Sequence, residues 1–184
     1  MKIKLWFTCA LACATLVCTA QNGVLDASFE FQAYPTGLIP GIRIEGGFAE
    51  RHAAHLRLGY TWIRHGDAGK HDDERGKGFG LTLGYRYYFK PEGFRGFFLG
   101  ARNDFWFNEI DWKNDVGQAG ETSGTTEIIV VQPTVEAGWL FVFNEKWVLA
   151  PTLAFGYEVN VKTEGEPTGE GMIMLAGLSL GRRF

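Results

Sequence analysis

Apolar and polar residues alternate strictly over short stretches of this chain, and this period of two constrains the fold more than any other feature. In the last stretch, Leu178, Leu180 and Phe184 share one side of an extended backbone, whereas Ser179 and Gly181 share the other. Such alternation is typical of a β-strand whose two faces meet different surroundings. The question is which surroundings these are.

Eight stretches follow this pattern, and no helical periodicity of useful length interrupts them. They cover residues 24–34, 41–49, 53–64, 79–89, 96–107, 126–142, 147–159 and the C-terminal stretch. Every second connection is short. The others are predicted to be long polar loops, at residues 65–78, 108–125 and 160–171, except for PTGLIPG (35–41). A meander with short turns on one side and long loops on the other is typical of outer-membrane barrels.

Residues 1–20 have the pattern of a secretory signal peptide. Lys2 and Lys4 precede an apolar run that is too short to span a bilayer as a helix, and Cys18-Thr19-Ala20 forms a cleavage site. We therefore expect a cleaved signal at 1–20 and one domain at 21–184. Lipidation of Cys18 is the rival interpretation, which Val17 disfavours. The other two cysteines also lie in this segment, so the mature chain would lack thiol chemistry.

The mature chain is predicted to carry more negative charge than the formal −3 of the whole sequence, which argues against nucleic-acid binding. The 25 Gly, 15 Phe, 6 Trp and 6 Tyr favour strands over helices. A soluble β-sandwich would also alternate, but here the aromatic residues gather at the ends of the stretches. We expect two aromatic girdles: Phe31, Trp62, Phe79 and Phe107 towards the long loops, and Tyr87, Phe89, Phe97, Trp139, Trp147 and Phe184 towards the short turns.

The opposite face carries charge in the middle of strands, which the core of a sandwich would not tolerate. We predict that these residues form a charge network inside the barrel: Glu30, Arg43, Glu45, Arg57, Arg86, Arg102, Asp104, Glu136 and Glu158. Backbone groups cannot face hydrocarbon unpaired, so the sheet must close. The predicted fold class is all-β, a single transmembrane eight-stranded antiparallel up-and-down β-barrel.

The segment ends GYRYYF and GRRF, the meander and the terminal Phe resemble the small outer-membrane β-barrel family, the eight-stranded barrels typified by the OmpA membrane domain, OmpX and OmpW. The resemblance covers residues 21–184. It implies that Phe184, Leu180 and Leu178 form the signal read by the barrel-assembly machinery, although Arg182 stands where the family often has a second aromatic residue. The stretches GFFLGARNDFWF and PTLAFGYEV are similar to barrels of Bacteroidota-type bacteria.

Candidate sites for chemistry are sparse. His52 and His55 are three apart on a strand and face opposite ways, which disfavours a shared metal. His65, Asp67, His71, Asp72, Asp73 and Glu74 cluster in one predicted loop and could bind a divalent cation, but neighbouring Arg and Lys residues favour a solvated loop. The acidic loops 108–125 and 160–171 could meet divalent ions that bridge lipopolysaccharide phosphates, but ordinary solvated loops are the favoured interpretation.

The sequence thus predicts an integral outer-membrane protein of a Gram-negative bacterium, with a structural or surface-interaction role and a plugged polar interior. We expect no catalytic residues, metal or cofactor. The expected partners are outer-membrane lipids, lipopolysaccharide and the barrel-assembly machinery, with a monomer favoured. A lipid A-modifying enzyme, using His65 or His71 with Asp67 and Ser123, is one alternative. A small pore and a soluble periplasmic β-protein are the others.

Overall fold

The computed structural model describes residues 23–66, 70–90 and 93–184, so the predicted signal at 1–20 lies outside the described residues. Within them, eight antiparallel strands form a closed barrel in chain order. The strands are β1 (Leu25–Tyr34), β2 (Gly37–Ala49), β3 (His52–Gly66), β4 (Asp73–Tyr88), β5 (Gly96–Asn114), β6 (Thr122–Phe143), β7 (Trp147–Glu164) and β8 (Gly171–Arg183). The predicted eight-stranded up-and-down barrel is confirmed.

The barrel closes between its first and last strands. The β1–β8 register runs from Asp26 opposite Arg183 to Ala33 opposite Ala176. Beyond β8, the backbone N–H of Phe184 donates to the carbonyl of Leu25 at 2.8 Å. Because the ring is closed, no strand edge is left unpaired where all eight strands overlap. A sheet surrounded by hydrocarbon must be closed in this way. No helix in the described part of the chain is long and apolar enough to cross a membrane.

The two faces of the wall follow the alternation of the sequence. Large apolar side chains point outwards and are exposed on the isolated barrel; Val135 is 65% exposed and Leu153 is 61% exposed. Aromatic side chains pack against each other on this outer face near both rims. Phe79 and Phe107 lie 5.4 Å apart on the loop side, and Phe89 and Phe97 lie 5.3 Å apart on the turn side.

The predicted loops are wrong in extent, because most of their residues belong to strands. The connections on the loop side are only 35–36, 67–72, 115–121 and 165–170. The prediction failed because the outward side chains become polar beyond the aromatic residues, whereas antiparallel pairing continues. Asp73 still pairs with Lys113, for example.

The wall is consequently taller on one side. Strands β5, β6 and β7 have 19, 22 and 18 residues, whereas β1 has 10 and β2 and β8 have 13 each. A tilted strand crosses a bilayer with about 9–11 residues. The tall strands therefore continue well beyond the aromatic residues on the loop side as a protruding sheet.

Candidate functional site

The interior of the barrel is filled in three layers along its axis. An apolar cluster lies near the short turns, a charged layer lies in the middle, and a second apolar cluster lies near the loops. The first contains Tyr88, Phe94 and Phe98, and the second contains Trp106 and Ile110. The sequence predicts charged residues in the interior and neither of the apolar clusters.

In the charged layer, Arg86 is held by two carboxylates. Its Nε lies 2.6 Å from Glu136 Oε1, its Nη2 donates to Glu136 Oε2 at 3.2 Å, and its Nη1 lies 2.7 Å from Glu45 Oε2. The guanidinium also lies 4.2 Å from the centre of the Phe98 ring. Because Arg86 and Glu136 are both almost fully buried, their charges depend on each other for compensation.

The other three arginines of this layer surround Glu30 and Asp104. Arg43 Nη2 lies 2.9 Å from Glu30 Oε2, and Arg57 Nε lies 3.6 Å from Glu30 Oε1. Arg102 Nε lies 3.3 Å from Asp104 Oδ2, with longer approaches of 3.9 Å to Glu30 and Glu136. Four arginines therefore meet four carboxylates among the described residues, and the layer is formally neutral.

Neutral polar side chains complete the hydrogen bonding of the charged layer. Gln32 donates to Glu30 at 2.5 Å and accepts from Arg57 at 2.9 Å. Arg43 donates to Ser179, Arg102 donates to Thr134, and the Tyr88 hydroxyl donates to Glu45. Gln32, Ser179 and Thr134 occupy inward positions in the same alternation of the sequence as the charged residues.

Glu158, the ninth predicted member of the network, lies apart from the other eight. It lies nearer the loops and accepts a hydrogen bond from Gln132. Gln132 in turn accepts from the Trp106 indole at 2.9 Å. Glu158 has no ion pair with the described residues, which separates it from the arginine layer beneath.

The turn end of the interior is closed by Phe94. This residue of the β4–β5 connection is 3% exposed and packs edge-on against Tyr88, with ring centres 5.4 Å apart. The left-handed backbone at Phe94, with φ of 44°, turns its ring inwards. Arg183 secures the turn: it donates to the carbonyl oxygens of Gly93 and Phe94 and forms a bidentate pair with Asp26.

The four histidines do not form a joint site. His52 lies on the outer face beside the Tyr85 hydroxyl at 2.7 Å, whereas His55 is buried inside, as the strand spacing predicted. His65 Nε2 contacts Glu74 Oε2 at 3.0 Å inside the barrel, and His71 stacks on Trp112. Among the described residues, no group of three or more His, Cys, Asp or Glu side chains is arranged to hold a metal ion.

The residues considered for lipid A chemistry are not brought together. His65 and His71 are turned towards the interior, where they contact Glu74 and Trp112. Ser123 pairs with Lys113 on the exposed outer side of the wall. Asp67 lies outside the described residues.

The acids of the 108–125 segment are held locally. Glu121 accepts from the Gly117 backbone N–H at 2.9 Å and lies 3.3 Å from Lys113 Nζ. The hydrogen bond from Gly117, followed by the bond and charge of Lys113, lowers the pKa of the Glu121 carboxyl. Asp72 accepts from the backbone N–H of Asp115, which ties two connections together at the top of the sheet.

The residues of the expected assembly signal lie on the outer face of β8 and just beyond it. Leu178, Leu180 and Phe184 are 51%, 57% and 65% exposed. The guanidinium of Arg182 lies 5.4 Å from the centre of the Phe184 ring and covers one of its faces. Their role in assembly stays a prediction.

Comparison with known proteins gives one sequence match and several fold matches. The sequence pattern of the family described as "Protein of unknown function (DUF3575)" matches residues 6–168. The chain belongs to the DUF3575 family. No curated protein sequence matches it.

The solved structures that resemble this DUF3575 member are distant in sequence. The N-terminal β-barrel domain of Pseudomonas aeruginosa OprF is 16% identical, with a TM-score of 0.50 over 88% of this chain and 98% of that one. Acinetobacter baumannii CarO is 13% identical, with a TM-score of 0.53 over 86% and 97%. The translocator domain of the autotransporter NalP from Neisseria meningitidis is 10% identical, with a TM-score of 0.50 over 98% and 97%.

These likenesses bear on the fold alone. Together with the closed ring and the apolar outer face, they identify the chain as a single transmembrane eight-stranded antiparallel β-barrel. The soluble β-protein considered from the sequence is therefore set aside.

Proposed function

We propose that this protein is an integral component of the outer membrane of a Gram-negative bacterium, with a structural or surface-interaction role and a plugged polar interior. The observation that carries the proposal is the continuous filling of the barrel, from Phe94 at the turn end through the neutral arginine–carboxylate layer to Trp106. An eight-stranded barrel has an interior just wide enough for side chains to fill. Transport through the barrel would require this packing to be broken.

The plugged interior is tested by conductance in a planar lipid bilayer. We expect no discrete current steps for the purified protein, because Arg86, Arg102 and Phe94 occupy the lumen. Stable open steps in the unaltered protein would favour the alternative of a small pore. Phe94→Ala, which removes the closure at the turn end, shows whether the assay responds to a change in the plug.

The proposed location follows from the predicted signal at 1–20 and the apolar outer face. It is tested by separating inner and outer membranes on a density gradient and by comparing boiled with unboiled gel mobility. Co-migration with outer-membrane markers and a faster unboiled band are expected. Recovery in the inner-membrane or soluble fraction would contradict the location.

A surface-interaction role is supported by the protruding sheet of β5, β6 and β7. Paired charges lie on its outer side and at its border with β4, above the aromatic residues. Lys113 of β5 lies 3.3 Å from Glu121, and Lys77 of β4 lies 3.5 Å from Glu109 of β5. Such ionic groups suit contact with lipopolysaccharide headgroups and bridging cations. Shortening the β5–β6 hairpin at 112–124 should keep the barrel folded and weaken binding to lipopolysaccharide-containing vesicles. Unchanged binding would argue against this partner.

Assembly through the barrel-assembly machinery is proposed from the resemblance of the terminal strand. Phe184→Ala should reduce the amount of folded protein in the outer membrane, with Phe155→Ala as the matched control. Phe155 is also an outward phenylalanine, but it lies in the middle of β7. Equal loss in both variants would indicate a general effect of removing a lipid-facing ring.

We also propose that the role is not catalytic and that the protein acts as a monomer without a cofactor. Support comes from the separation of Ser123 from His65 and His71 across the barrel wall. Mass spectrometry of lipid A from cells with and without the protein tests this. A mass shift lost on deletion of the gene would support the lipid A enzyme.

A further inference from the structure

A chamber of about 280 Å³ lies inside the barrel at its loop end, above the charged layer. Its floor is formed by Trp106, Gln132 and Glu158, which are linked by hydrogen bonds. Part of its roof is the β7–β8 connection. Thr126 holds this connection by donating to the carbonyl of Glu166 at 2.9 Å, and Thr168 in it is 2% exposed.

The walls of the chamber are mostly apolar. Isoleucines from five strands line it together with two aromatic rings: Ile39, Ile63, Ile110, Ile128, Ile173, Tyr34 and Trp106. A cavity lined by apolar side chains with a few convergent polar groups is the usual form of a small-molecule site. A chamber of this volume accommodates only a small ligand.

The ionisable side chains that line the chamber are predominantly acidic. Glu74, Glu158 and Glu170 line it, and His65 is the only basic side chain among its described residues. Trp106 lies between the chamber and the charged layer. The guanidinium of Arg57, in that layer, lies 5.7 Å from the centre of the Trp106 ring. A cation in the chamber would thus meet carboxylates and the aromatic side chains of Tyr34 and Trp106.

Two of these groups have hydrogen-bonding capacity that their neighbours do not use. Glu74 is 2% exposed and contacts His65 through Oε2, while its Oε1 has no hydrogen-bond partner among the described residues. His65 Nδ1 is likewise buried without a described partner. Buried polar atoms are nearly always satisfied, so the unpaired Oε1 leaves Glu74, a residue of the chamber wall, able to accept a further hydrogen bond when its carboxylate rotates towards a ligand in the chamber.

We propose that this chamber binds a small organic cation with an apolar body, of the alkyl- or aryl-ammonium class. The ammonium group would lie between Glu74 and Glu158, and the apolar body would lie against the isoleucines and Trp106. The charge of the carboxylates excludes anions of the same shape. This inference goes beyond the proposed structural role and does not depend on it, because it rests only on the interior geometry at the loop end.

Binding is tested with benzyltrimethylammonium as the probe and toluenesulfonate as its anionic counterpart. The protein purified in detergent is titrated with each and followed by calorimetry and tryptophan fluorescence. Saturable binding of the cation at one site per chain, with binding of the anion at least tenfold weaker, is expected. No saturable binding of the cation, or equal binding of the anion, would overturn the proposal.

Variants identify the site. Glu158→Gln and Glu74→Gln should each weaken cation binding about tenfold or more, since each removes one charge from the chamber. Glu164→Gln is the matched control, because Glu164 is an exposed acid on the same strand as Glu158 and lies outside the chamber. Equal affinity in all three variants would overturn the assignment. The gel mobility of unboiled samples checks that each variant is folded. If a variant does not fold, the comparison of cation with anion binding in the unaltered protein tests the proposal by itself.

Discussion

Replacement of Arg86 by leucine tests the charged layer most sharply. Arg86 is 1% exposed and makes three hydrogen bonds, of 2.6, 2.7 and 3.2 Å, to two carboxylates. Removal of one partner of a buried ion pair costs about 3–5 kcal/mol, because the remaining charge is left without compensation. In the variant, the nearest remaining arginine to Glu136 would be Arg102, whose Nη1 lies 3.9 Å from Glu136 Oε2 in the unaltered protein. We therefore expect a loss of about 4 kcal/mol in the free energy of unfolding.

A second substitution separates uncompensated charge from lost packing. Arg86→Leu/Glu136→Leu keeps the layer neutral, so it should lose only about 2 kcal/mol. This is far less than the sum of the losses for Arg86→Leu and Glu136→Leu measured singly, each of about 3–5 kcal/mol. Urea unfolding in detergent, followed by tryptophan fluorescence and unboiled gel mobility, measures the single and double variants. Arg64→Leu is the control, since Arg64 is exposed and should change stability by less than about 0.5 kcal/mol. A loss below about 1 kcal/mol in Arg86→Leu, or strict additivity in the double variant, would refute the reasoning.

Other substitutions probe the two ends of the barrel and the weaker pairs. Arg102→Leu should cost about 2–3 kcal/mol in the same titration, less than Arg86→Leu, because its ion-pair contacts are 3.3 Å or longer. Phe94→Ala should lower the free energy of unfolding by about 3–5 kcal/mol. Gly47→Ala should lower the free energy of unfolding by about 1–3 kcal/mol, because its new Cβ would lie 2.2 Å from the Phe94 ring. In a protein that already carries Phe94→Ala, the same substitution should cost little. The Gly117 amide resonance should titrate with a midpoint below the ordinary range of a glutamate, because the bond to Glu121 persists until that carboxylate, whose pKa is lowered, is protonated.

Each of these predictions has a result that would contradict it. Equal losses for Arg102→Leu and Arg86→Leu would mean that pair geometry does not set the cost. A full Gly47→Ala effect in the Phe94→Ala background would mean that the contact with the ring is not its origin. An unshifted midpoint for Gly117 would mean that the bond to Glu121 is not formed in solution.

The barrel wall was predictable because each strand carries two distinct faces. Alternation in residues 96–107 places Phe105 and Phe107 on the outer face and Arg102 and Asp104 on the inner face. The same alternation places Trp106 on the inner face. Trp106 is nonetheless not predicted inside the barrel, because aromatic residues are used as the mark of the outer face. A purely polar interior was therefore expected, although apolar side chains close both of its ends.

The heights of the strands and the partners inside the barrel could not be predicted in this way. Pairing beyond the apolar band depends on backbone hydrogen bonds between hairpin arms such as 108–114 and 122–128, whose outward side chains are polar. Similarly, the contact of Arg86 with Glu45 and Glu136 joins three strands, and only the register around the closed barrel brings them together. The separation of Glu158 from the charged layer depends on the same register.

Quenching of tryptophan fluorescence by brominated lipids tests the central claim most directly, which is that lipid covers the alternating outer face while the interior is packed. In single-tryptophan variants reconstituted into vesicles, Trp147, which is 54% exposed on the outer face, should be strongly quenched. Trp106, which is 1% exposed inside the barrel, should keep most of its fluorescence. Equal quenching of both residues, or quenching of Trp106 alone, would contradict the assignment of the two faces.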